Sequence, residues 1–222
     1  MIRPRVLAAV LVFVLGLAAA APAAPTVNCH CFRDRSFDPA RPEAADPYVL
    51  ATSRNSLLAA AFGVSKGLVV RSLMTGTPPE ALWAAHGLAA ATGRDAGELL
   101  TAYGKAGSWI GALAALGVAP DAVPGKVGEA LRAGADPAGA AVDEVLVGRL
   151  GSSADRVAAL RFAGASDAET VAATLLGRLR GRDPVGFLNE VRAGNATWGA
   201  LFHAAGVAPS DIDDAIARLL RR

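Results

Sequence analysis

The chain has 222 residues, 53% of them hydrophobic and 19% charged, enough to bury a core of ordinary size in one domain or two small ones. Its 22 Lys and Arg stand against 20 Asp and Glu, with no basic block. That balance argues against nucleic acid binding and electrostatic attachment to a membrane surface. The formal charge of +2 comes from Arg3 and Arg5 alone.

Those two arginines open the first predicted element. Arg3 and Arg5 precede an apolar run from about Val6 to Ala21, and Ala21-Pro22-Ala23 fits a small-residue cleavage site ahead of Ala24. This is the layout of a secretory signal peptide over residues 1–23. The run is shorter than the roughly 20 residues of a membrane-spanning helix. Export is therefore expected, to the periplasm or outside the cell, with no stable membrane span after signal removal. The mature chain would keep 199 residues and a net charge of zero.

Residues 24–45 form an extended segment that carries both cysteines, in Asn28-Cys29-His30-Cys31. In an oxidising compartment the thiols can pair, and a Cys29–Cys31 disulfide would close a small, strained ring. The other reading is a soft-metal site for Cu(I) or Zn(II), with Cys29, His30 and Cys31 as ligands. One residue between cysteines is tighter than standard closed zinc sites use, and no second pair exists. A single-metal site would need His86, His203, Asp34 or Asp38, or a second chain. A redox role lacks the two-residue spacing that such chemistry uses. Phe32 and Phe37 would tuck the segment against the helical body. Arg33, Asp34, Arg35 and Asp38 would form local ion pairs, each worth little when exposed.

From Asp46 onward one grammar repeats: an apolar run of about three turns ends at glycine, and Ser, Thr or Asp starts the next. Thr77 is expected to cap a helix with Pro78 in its first position and Glu80 completing a capping box, and Gly93 to end it. Asp95 with Glu98, and Ser166 with Glu169 and Gly181, repeat the pattern. Asp-Pro opens three runs, at Asp46, Asp136 and Asp183. No period-two run of β-branched residues appears, so the expected fold class is all-α.

A shift of 88 residues places Gly63 on Gly151, Gly76 on Gly164 and Gly93-Arg94-Asp95 on Gly181-Arg182-Asp183. One inserted residue later, Trp109 meets Trp198, and Gly117-Val118-Ala119-Pro120 meets Gly206-Val207-Ala208-Pro209. The expectation is two tandem related multi-helix units, 46–134 and 135–222, in a solenoid-like or compact array of short helices. Arg132–Ala140 would be the joint between them. Trp109 and Trp198, each after a candidate cap (Ser108, Thr197), would fill the gap where short helices meet the alanine-rich layer. The last run is amphipathic, with Ile212, Ile216, Leu219 and Leu220 on one face.

Catalytic motifs are missing: no nucleophile elbow, phosphate loop or paired-histidine metalloprotease helix. His86 and His203 do not match each other in the two units and read as partly buried, hydrogen-bonded histidines. The stretch Gly93–Val118 has the cadence of a helix-turn-helix. Its second helix offers Trp109, Ile110, Leu113 and Leu116, none of which reads bases. The expected function is therefore binding or structural support in the cell envelope, with an envelope protein or a small ligand as partner. The alternatives are soft-metal handling by Cys29-His30-Cys31 and an enzyme of unknown class.

Overall fold

The computed structural model describes residues 32–221, where the chain folds into 12 α-helices with no strand among the described residues. The first series is α1 (Asp46–Phe62), α2 (Lys66–Met74), α3 (Pro79–Thr92), α4 (Ala96–Ala106), α5 (Trp109–Ala115) and α6 (Gly125–Arg132). The second is α7 (Pro137–Gly148), α8 (Ala154–Phe162), α9 (Asp167–Arg180), α10 (Pro184–Arg192), α11 (Trp198–Ala204) and α12 (Ile212–Leu220). The bounds of α2 and α3 recur 88 residues later in α8 and α9, and those of α5 recur 89 residues later in α11.

Caps explain the helix limits. Ser65 and Ser153 accept from the backbone N–H three residues on, as do Asp95, Ser108 and Thr197. Ser166 and Glu169 form the full capping box. Gly93 and Gly181 end α3 and α9 with φ of 71° and 64°, a conformation that costs side-chain-bearing residues.

Two expected caps are corrected. α3 begins at Pro79 with no side-chain cap, and Glu80 closes no box with Thr77. Its carboxylate turns instead to Arg54 of α1 at 3.4 Å, where a largely buried guanidinium needs a counter-charge. Asp46 is a helical residue rather than a cap. Its two oxygens accept from the N–H groups of Trp198 and Gly199, at 3.1 and 2.7 Å, and so cap α11 instead.

Each series lends its first helix to the other. α1 packs on α9, α11 and α12, whereas α7 packs on α3 and α6. Close approach makes the second contact: a Cβ on Gly87 of α3 would lie 2.6 Å from that of Ala141 in α7. α1 and α9 also pack on each other, and both bury hydroxyls. Thr52, Ser53, Thr170 and Thr174 are all within 1% of full burial, and those of Thr52, Ser53 and Thr174 lack a hydrogen-bond partner among the described residues. Trp109 and Trp198 are both buried, each beside the Asp-Pro start of the other series' first helix. α12 buries Ile212, Ile216 and Leu219 as its pattern predicts, and Asp213 holds Lys66 of α2 at 2.6 Å. No described helix is long and apolar enough to cross a membrane.

Candidate functional site: a cleft in the first helical series

Cys29, His30 and Cys31 lie outside the described residues. The segment that follows them is held down by aromatic contacts. Phe32 meets Tyr48 edge-on at 5.6 Å, and Phe37 stacks on His203 at 4.7 Å. The Thr197 hydroxyl donates to the Pro42 carbonyl at 2.9 Å. Asp34 and Asp38 both pair with Arg41. His203 is exposed rather than partly buried, because it lies at the outer end of α11 with Phe37 on one ring face. No group of three or more His, Cys, Asp or Glu among the described residues is placed to hold a metal ion.

His86 sits elsewhere, in a cleft of about 320 Å³ bounded by α2, α3 and α4. Val64, Leu68, Val69, Leu82 and Leu100 supply apolar walls; Ser72, Asp95, Ala96 and Gly97 complete the lining. The imidazole stacks on Phe62 at 5.5 Å, which fixes the ring plane. Its nitrogens have no hydrogen-bond partner among the described residues, contrary to the expectation from sequence. Burial pushes its pKa below the ordinary 6.5, and the Asp95 carboxylate opposes that shift. At neutral pH the ring is therefore uncharged and offers one donor and one acceptor.

The residues 88 positions later offer a comparison. Of the residues 88 positions after the lining, Val157, Leu160, Thr170, Thr174 and Leu188 are buried, Val185 is half-buried, and Arg156 and Asp183 are exposed. Leu160, with no exposed surface, takes the place of Ser72. Val185 takes the place of Gly97, and Thr174 that of His86. At two of these positions the second series has a leucine and a valine where the first has a serine and a glycine, while at two others Leu82 and His86 of the first stand opposite Thr170 and Thr174. The cap follows suit. Asp95 accepts from Glu98 N, the third helical residue, whereas Asp183 accepts from the N–H of Val185, the second.

A scan of protein-family models and a search of curated proteins found no match to this chain. The site rests on its own geometry.

Two other depressions are present among the described residues. One of about 250 Å³ lies against Tyr103, Trp109 and Pro137, on the surface that residues 37–45 cover at the matching start of α11. Another, of about 600 Å³, lies between α4 and α5 beside Glu98 and Lys105. The exposed large apolar side chains include a matched pair at the last positions of α2 and α8: Met74 is 51% exposed and Phe162 96%.

The cleft can do two things chemically. It removes an apolar body from water, and it meets one polar group with His86, Ser72 and Asp95. Sequence reasoning passed over Ser72 and Gly97, although setting the two series side by side marks both as small where the partner position is large.

Proposed function

We propose that the protein is exported and works in the cell envelope by binding, holding a small apolar ligand between α2, α3 and α4 of the first series. The two series would descend from one duplicated unit: the second keeps a packed core, and the first has opened the same place into a receptor. The single observation that supports this reading is Ser72 on the lining of an open cleft, where the residue 88 positions later, Leu160, has no exposed surface. A volume near 320 Å³ is at the small end of ligand pockets. The test is native mass spectrometry of protein purified from its own compartment, beside the Ser72→Leu variant. A low-mass adduct on the wild type that disappears in the variant is the expected result. An adduct equally abundant on both, or on neither, would overturn the reading.

The envelope-protein partner finds its support at Phe162, whose ring is almost wholly in water. A photo-crosslinking residue placed there should give one discrete crosslinked product in cells.

A further inference from the structure

We infer that the ligand of the α2–α3–α4 cleft is an aliphatic molecule of about ten non-hydrogen atoms whose polar end is a hydrogen-bond donor, an amine or an alcohol, and not a carboxylate. The inference rests on the reading of the cleft as a binding site and names its ligand class.

Size comes from the volume: about 320 Å³ at roughly 30 Å³ per water-sized group holds about ten such groups. Shape comes from the walls. Val64, Leu68, Val69, Leu82 and Leu100 are aliphatic, and apart from His86 no ring lines the cleft, so no stacking platform selects a flat aromatic ligand. A chain suits these walls, since each buried methylene contributes on the order of 0.8 kcal/mol.

The polar end follows from charge. Asp95 is the one formally charged residue of the lining, and it is negative. Among the described residues no Lys or Arg lines the cleft; Arg71 and Arg94, the chain neighbours of Ser72 and Asp95, are exposed outside it, and Arg94 donates to the Leu116 carbonyl at 2.7 Å. Where the second series has Arg156, the first has Leu68. Lys66, the nearest lysine in sequence, is held by Asp213 at 2.6 Å. Ala96 and Gly97 bring the positive N-terminal end of α4 to the cleft, but the Asp95 carboxylate already caps that end, so a second carboxylate would enter beside a like charge, which opposes binding. An ammonium or hydroxyl meets acceptors instead: the Asp95 carboxylate, the neutral imidazole of His86 and the Ser72 oxygen. Of the two donors the ammonium gains more, because a charge-assisted bond to a carboxylate is about twice as strong as a neutral one.

The experiment titrates the mature protein at pH 7.5 with octylamine, 1-octanol and octanoate, which share one chain and differ at the head, and reads binding by calorimetry. Octylamine should bind tightest, 1-octanol next, and octanoate at least about tenfold weaker than octylamine, a gap of about 1.4 kcal/mol. Asp95→Asn should bring octylamine to within about threefold of 1-octanol. Asparagine is as good a helix cap as aspartate, so the variant keeps its fold. Ser72→Leu should abolish all three titrations. Octanoate binding as tightly as octylamine, or an octylamine lead that survives Asp95→Asn, would overturn the ligand class while leaving the cleft as a site. Failure of all three probes, or binding that persists in Ser72→Leu, would overturn the cleft itself.

Discussion

Ser72→Leu copies the second series into the first, and its effect on stability follows from the structure. Leu160, at the matching position, has no exposed surface, which shows that this helix geometry can bury a leucine there. Full burial of a leucine contributes about 1.5–3 kcal/mol, less about 0.5–1 kcal/mol of side-chain entropy. Ser72 gives up little in return. Its carbonyl accepts from Thr75 Oγ1 and Thr77 N through the backbone, which the substitution keeps, and its hydroxyl forms no hydrogen bond among the described residues. The net gain should be roughly 1–2 kcal/mol. For a chain of this size that raises Tm by about 2–8 °C, read by calorimetry or by circular dichroism. The urea m-value should not change, since the surface exposed on unfolding is nearly the same. An unchanged or lower Tm would mean that the leucine finds no room, and the argument from the second series would fail.

Gly87→Ala should destabilise by about 1–3 kcal/mol, because its Cβ would fall 2.6 Å from that of Ala141; Ala141→Gly in the same chain should restore most of the loss. Asp46→Ala should cost about 1–3 kcal/mol in urea unfolding, since it strands the N–H groups of Trp198 and Gly199, whereas Asp136→Ala should cost only about 1 kcal/mol as a lost local cap. Thr174→Val should be neutral or stabilising by up to about 1 kcal/mol in the same assay, because the hydroxyl it removes is buried without a partner. His86 carries a pH signature. Its folded pKa lies below the ordinary 6.5, so the unfolded chain binds its proton first as the pH falls. The contribution of His86 is complete above about pH 6.5 and is lost through the window below it. His86→Thr should flatten the stability profile in that window alone.

Much of the fold was legible because helix ends are local events. Gly93, Gly181, Ser65, Ser153, Ser108 and Thr197 act through neighbours within four residues, and the chain spells them out. Asp46 and Glu80 were misread for the opposite reason. Local grammar makes each a capping residue, but each carboxylate answers a group more than twenty residues away, on α11 or α1. The crossing of α1 onto α9 and of α7 onto α3 also depends on tertiary packing, which no local pattern spells out. The cleft was written in the sequence in a form that the search for matches discards. Agreement between the two series fits a shared unit, and the proposed site is read from the disagreements at positions 72, 86 and 97.

The most direct test of that difference is nuclear Overhauser spectroscopy on methyl-labelled mature protein with octylamine bound. The account predicts contacts from the alkyl chain to the methyls of Leu68, Leu82 and Leu100, and none to those of Leu160 or Leu188. Contacts to Leu160 and Leu188, or to neither set, would contradict it.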